Sequence, residues 1–264
     1  MKKLGVLLSH PVQYYSPFFK ELAKAVDLTV YYCYQPNSKE QGVGFGVAFQ
    51  WDIPLLEGYN YEFINNAKEV KKRIKDGNFD LFIVIAWNYI AAHQALEACK
   101  SFNIPIYARG DSQLSTRPLW FRCLKRIYFS KFLSKFDGFL SPSQRFEEYL
   151  LFYGVSKDKI IFCPHFVDNN FFRETKFSSL KEKINTKKNY GFYENEILLL
   201  FCGKFIDKKR PLDFLHALKV LKEKKVNVGG LLVGDGILRK KMQDYSIKHK
   251  LNAVFLGFLN QREL

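Results

Sequence analysis

The chain has 264 residues, with 41 Lys and Arg against 26 Asp and Glu, and a formal net charge of +15 at neutral pH. Its 47% hydrophobic and 25% charged residues are the balance of a folded globular protein, which excludes intrinsic disorder, and the length admits one large domain or two ordinary ones. The positive excess suits nucleic acid, an anionic membrane surface, phosphorylated substrates or simply a lysine-rich surface; with no recognised nucleic-acid module in the sequence, nucleic acid is not expected as a partner.

Residues 4–9 read as a first strand, 17–26 as its helix and 28–34 as a second strand. The apolar run at 4–8 is broken by His10-Pro11, too short for a signal peptide, and no stretch approaches the roughly 20 apolar residues of a membrane span. A Gly-rich section over 41–61 reads as loops with short extended pieces. The run FDLFIVIAW at 79–87 is a strong buried strand, followed by a helix over 91–102 and a strand over 104–108. Pro118 suits the first turn of a long amphipathic helix over 118–135. A strand at 138–141, a helix at 145–153 capped by Ser143 and a strand at 159–163 complete the first series.

Over 172–194 apolar periodicity fades and Lys, Ser, Asn and Glu dominate, as in a linker. A second series follows: strand 197–202, helix 211–224, strand 228–233, helix 238–249 and strand 253–256. This alternation predicts the α/β class with parallel sheets covered by helices. Three strands are fewer than a doubly wound domain uses, so the second domain is expected to be incomplete. The expected organisation is a domain over 1–171, a linker over 172–194 and a partial domain over 195–264. Cys33, Cys99, Cys123, Cys163 and Cys202 are odd in number and form no C-x-x-C pair, so neither a disulfide framework nor a zinc site is expected, and a reducing cytoplasm is.

The most informative segment is FCGKFIDKKRPLDFLHAL at 201–218. A strand delivers Gly203 and Lys204 to its carboxyl end, and Lys209 follows just before a helix. Two cations beside helix N-terminal amides suit a diphosphate group. In LLVGDGILR at 231–239, Gly234, Asp235 and Gly236 turn the backbone off another strand, with Arg239 at the next helix start. CPHFVDNNF at 163–171 and HPVQYYSP at 10–17 complete the set.

Taken in order, these motifs resemble glycosyltransferase family 4 with its GT-B fold of two Rossmann-like domains, a resemblance covering essentially the whole chain. The first matches the family's glycine–arginine–x4–lysine pattern, with Lys204 where Arg is usual, Lys209 on the family lysine and Arg210 in place of a glycine. Residues 163–171 resemble the interdomain P-N-G-V-D element through Pro164, Val167, Asp168 and Phe171. The resemblance implies that Lys204 and Lys209 bind the donor diphosphate and stabilise its departure, with Gly203, Gly234, Asp235 and Gly236 forming the nucleotide-side loop. His10, Gln13, Tyr14, Trp87, Asn88 and Asp168 are candidates for the acceptor cleft, and Asp111 and Arg109 for acceptor-side catalysis.

The resemblance also implies retaining transfer of a sugar from a nucleotide-diphosphate donor to a glycan or lipid-linked acceptor, with neither metal nor cofactor, in surface polysaccharide or lipopolysaccharide synthesis. The family's glutamate–x7–glutamate element falls beyond residue 264, so a C-terminally truncated chain is expected. A sugar-nucleotide 2-epimerase of the same fold, or an inactive sugar-nucleotide- or glycan-binding remnant, is the alternative. Finally, Arg117, Arg122, Lys125, Arg126, Lys131 and Lys135 lie among aromatics on one helix. They suit either a solvated basic face or attachment to an anionic leaflet, which would make the protein peripheral at the inner face of the plasma membrane.

Overall fold

The apolar run after Lys2 forms β1 (Lys3–Leu8), with five of six residues buried because both of its faces are covered. The computed structural model describes residues 1–64, 66–114, 118–174 and 180–263. After β1 come α1 (Ser16–Leu22), β2 (Asp27–Tyr32), α2 (Ser38–Gln41), β3 (Asn60–Phe63), α3 (Glu69–Gly77) and β4 (Leu81–Ile85). The series continues with α4 (Ile90–Ser101), β5 (Ile106–Arg109), α5 (Leu119–Leu133), β6 (Gly138–Ser141), α6 (Gln144–Phe152) and β7 (Ile160–Phe162). The remaining elements are α7 (Asn169–Glu174), α8 (Leu180–Asn189), β8 (Ile197–Cys202), α9 (Pro211–Glu223), β9 (Val228–Val233), α10 (Arg239–Lys248) and β10 (Ala253–Gly257).

The chain divides into two compact units, one of Met1–Gln35 with Pro54–Asp168 and one of Pro36–Ile53 with Asn169–Leu264. Residues 36–53, which the sequence reading counts with the N-terminal domain, therefore pack in the second unit. The sequence-expected linker is partly helical, since α8 lies inside it; residues 175–179 fall outside the described residues, as does Arg117.

The first unit is built on a seven-stranded sheet in the order β3-β2-β1-β4-β5-β6-β7, parallel throughout. Its two faces carry separate cores. One joins Phe82 and Phe139 of the sheet to Leu96 of α4 and Phe146 of α6, and the other joins Val6, Val30 and Tyr32 of the sheet to Phe19 of α1. Each such side chain, fully buried, contributes about 1.5–3 kcal/mol. The second unit has a three-stranded parallel sheet, β10-β9-β8, around Phe205, Leu215, Leu218, Leu232 and Met242. Among the described residues no strand pairs with the other edge of β8, where Ile197 is 57% and Leu200 60% exposed. No described helix is long and apolar enough to cross a membrane.

Candidate functional site

In parallel α/β sheets ligands bind beyond the carboxyl ends of the strands, and the sequence-predicted residues occupy those ends in both units. The first unit contains cavities of about 260 and 670 Å³ at the opposite edge, lined by strand-start residues such as Lys3 and Asp27. An Arg73–Glu62 ion pair at 2.9 Å belongs to this opposite edge.

At the carboxyl edge of the first unit, Arg109 ends β5 and is only 3% exposed. Its Nε donates to the Tyr15 hydroxyl at 3.1 Å, Nη1 to the Cys163 carbonyl at 2.5 Å and Nη2 to the Pro164 carbonyl at 2.9 Å. The guanidinium also lies over the rings of Tyr15 and Phe166, at 5.9 and 5.3 Å. Arg109 thus directs its donors to groups of the chain itself, binding the β7 exit to the end of β5 and the start of α1.

Two residues on, Asp111 is exposed. Burial raises the pKa of both Tyr14 and Tyr15, and the nearby Asp111 charge adds to the rise while Arg109 opposes it. Tyr14 packs on Tyr15 at 4.7 Å and edge-on against His165 at 5.9 Å. Arg109, Asp111, Tyr14, Tyr15, His165 and Phe166 therefore converge, and Tyr15 and His165 join residues singled out from the sequence. Both stood within the quoted motifs, adjacent to Tyr14 and Pro164.

Other expectations are placed differently. His10 shares a 2.9 Å hydrogen bond between Nδ1 and the Ser9 hydroxyl and packs on Tyr34, and burial lowers its pKa. Trp87 turns its ring onto the core, stacking on Phe146 at 5.8 Å and meeting Phe129, Phe136 and Phe139. An indole beside four phenyl rings buries more apolar area there than at the open strand end. Asn88 and Asp168 are exposed, and Gln13 is half-buried in the loop before α1. Ala86, between β4 and Trp87, has φ +64°, a left-handed conformation uncommon for a residue with a Cβ.

The second unit brings its predicted residues together. The strand ends are linked through backbone: Gly203 N–H to Val233 carbonyl at 2.9 Å, Phe205 to Asp235 at 2.8 Å, and Gly234 to Gly257 at 2.7 Å. Gly234 has φ +130°, and a Cβ there would stand 2.0 Å from the Gly203 carbonyl oxygen, so only glycine fits. Asp235 accepts from Arg239 at 2.5 Å and from the Gly236 N–H at 2.8 Å.

Lys204 donates through Nζ to the Val43 carbonyl at 2.5 Å and lies 4.9 Å from the centre of the Phe45 ring. Lys209 ends a short 3₁₀ turn, Asp207–Lys209, and is exposed, its side chain without a partner among the described residues. Arg210 follows in the left-handed region at φ +52°, at the residue just before α9, and its side chain pairs with Asp213 at 2.6 Å. A groove of about 300 Å³ beside it is lined by Asp207, Arg210, Pro211, Leu212, Asp213 and Leu238. The contacts of Val43 and Phe45 were not found from sequence, although the Gly42-x-Gly44-x-Gly46 spacing marks the loop.

Two Rossmann-like α/β units, with lysines and tight glycine turns at the strand carboxyl ends of the second, define the GT-B architecture. Within it, the chain belongs to Glycosyltransferase Family 4, whose family model matches residues 18–171. A search of curated proteins by sequence gave no match. Among solved structures, a glycosyltransferase from Rickettsia africae ESF-5 superposes with a TM-score of 0.68 at 14% identity, covering 99% of this chain and 69% of its own. WaaG, a glycosyltransferase involved in lipopolysaccharide biosynthesis, gives 0.58 at 12% identity, with 97% and 70% covered. The UDP-GlcNAc 2-epimerase from Neisseria meningitidis, bound to UDP-GlcNAc, gives 0.55 at 15%, with 100% and 74% covered.

Proposed function

We propose that this chain carries the machinery for retaining transfer of a sugar from a nucleoside-diphosphate donor to a glycan or lipid-linked acceptor in surface polysaccharide or lipopolysaccharide synthesis. The observation that carries this reading is the pairing of Lys204 with Lys209 at the end of β8, ahead of the α9 N-terminus. As the sugar–phosphate bond breaks, negative charge grows on the departing diphosphate. Cations and a helix N-terminus placed there stabilise that charge more than the ground state. In this reading the two lysines supply the positive charge, and no metal or cofactor is called upon. The nucleotide sugar is a substrate.

On the acceptor side we assign Asp111 to the acceptor hydroxyl, with Arg109 holding the strand end that presents it. His10, Gln13, Tyr14, Asn88 and Asp168 remain acceptor-side candidates on their positions in the segments that follow β1, β4 and β7. A lipid-linked acceptor agrees with α5, whose Trp120, Leu124, Ile127 and Tyr128 are 60–80% exposed at helical spacing among Arg126 and Lys131. Such a face suits the interface of an anionic leaflet, and with it a peripheral cytoplasmic location.

The test is turnover of a panel of nucleotide sugars with lipid-extract acceptors by the wild-type chain and by a Lys204→Ala/Lys209→Ala variant. The double variant is expected to lose transfer; transfer at the wild-type rate would remove the assignment. The epimerase reading is supported by the UDP-GlcNAc 2-epimerases among the structural neighbours. It predicts an epimeric nucleotide sugar in acceptor-free reactions, whereas an inactive remnant would bind nucleotide sugar and convert none.

A further inference from the structure

The loop GVGFG at 42–46 lies far from β8 in sequence yet meets the carboxyl ends of β8 and β9. Gly44 has φ +85°, and a Cβ there would come within 3.0 Å of the Lys204 side chain. Gly236 approaches the same loop so closely that its own Cβ would stand 2.9 Å from the Gly44 carbonyl oxygen. Phe45 is wedged against Phe258 at 4.9 Å and Phe49 at 5.6 Å, and Phe49 packs on Phe258 at 4.2 Å. Beyond the loop, Asn260 donates to the Gln50 carbonyl at 2.6 Å, and Asp52 accepts from the N–H groups of Gln261 and Arg262 at 3.1 and 3.0 Å.

We propose that this glycine loop is a working part of the diphosphate site and that Phe45 is the residue that positions Lys204. The proposal rests on the reading of Lys204 as a diphosphate ligand. A lysine ammonium rides on a flexible four-carbon stem, and immobilising it on ligand binding weakens the complex. Here a carbonyl and an aromatic face hold it beforehand. Neither partner bears a formal charge, so the full charge of the ammonium stays available, and of its three N–H donors only one is taken by Val43. A carboxylate in the same place would hold the lysine equally well but would cancel that charge. The two glycines keep the loop free of side chains where it touches Lys204 and Gly236, which an ordinary surface loop has no need to do.

The experiment is titration calorimetry of the intact chain with UDP, GDP and inorganic pyrophosphate, using wild type, Lys204→Ala, Phe45→Leu, Phe45→Tyr, Phe49→Leu and the double variant Lys204→Ala/Phe45→Leu. Lys204→Ala is expected to weaken binding at least about tenfold. Phe45→Leu should weaken it about five- to tenfold. Phe45→Tyr, which keeps the ring face, should bind like wild type, as should Phe49→Leu, which loosens the same aromatic cluster without touching the lysine. In the Lys204→Ala background Phe45→Leu should have no further effect. Wild-type affinity in Phe45→Leu beside a loss in Lys204→Ala would overturn the positioning role and leave the lysine reading standing. Equal losses in Phe49→Leu and Phe45→Leu, or additive losses in the double variant, would also overturn it, by making the role one of folding. Undiminished binding by Lys204→Ala, or no binding of any probe by wild type, would remove the lysine reading and the proposal together.

Discussion

Arg109 is the buried charge on which the carboxyl edge of the first unit depends, since three backbone or side-chain oxygens receive its donors. Arg109→Met, which keeps much of the volume and removes the donors, should cost about 3 kcal/mol by urea denaturation. A stable variant with lost turnover would instead make Arg109 a substrate-contacting group. Gly234→Ala should cost more than about 3 kcal/mol, since the new Cβ meets a carbonyl oxygen in a conformation that L-residues avoid; an unchanged thermal midpoint would contradict the close approach. His10 supplies a pH dependence. Burial holds its pKa below the ordinary 6.5, so on acidification the unfolded chain takes up its proton first. The His10 contribution to stability is therefore complete above about pH 6.5 and declines as the pH falls toward the lower folded value. His10→Gln should flatten that part of the stability profile, and a profile identical to wild type would show the imidazole is not the group responsible.

Helix α5 carries the clearest disagreement between composition and placement. Of its 15 residues only Leu133 is buried, while Arg122 and Lys125 lie over the α6 and neighbouring rings of Phe152, Tyr149 and Tyr153. The apolar stripe is left outward, opposite to the arrangement of a helix that merely covers its sheet. Under the proposed leaflet attachment, wild type should float with phosphatidylglycerol vesicles, and Leu124→Glu/Ile127→Glu should abolish that flotation and leave the melting temperature within about 1 °C, since exposed substitutions shift stability little. Flotation equal to wild type would end the membrane assignment.

Strands such as β1, β4, β8 and β9 were legible in the sequence because each is a short apolar run ended by a glycine, a polar residue or Trp87. β3 and α3 were not: NYEF is an edge strand with its first two residues exposed, and α3 buries only Val70 and Ile74. The tight turn at Gly234 was legible because a strand end requires it. The partners of Arg109 are mostly main-chain oxygens, to which sequence patterns are blind. Arg210 in a left-handed conformation explains why a glycine suits that position and why its replacement is tolerated only at some strain.

At the scale of the molecule, each unit is assembled from two separate stretches of chain. The contacts that place residues 36–53 in the second unit join groups 209 residues apart, as between Gln261 and Asp52. No local periodicity carries that information, which is why the domain boundary read from composition misses it. A fragment of residues 169–264 should therefore show reduced helical signal and a broadened melt, and a synthetic peptide of residues 36–53 added in trans should sharpen it. A fragment that melts as cooperatively alone would show that the segment is dispensable for folding.

During synthesis the N-terminal portion of a chain emerges first. The segment bearing Phe45, Phe49 and Trp51 leaves the ribosome some two hundred residues ahead of Phe258 and Gln261, on the separation of 209 between its ends. Until those last residues are made, three aromatic rings have no finished core to enter. The nascent protein must therefore carry an exposed apolar segment while the residues between the two stretches are made, and that interval is when a holdase chaperone would find its binding site.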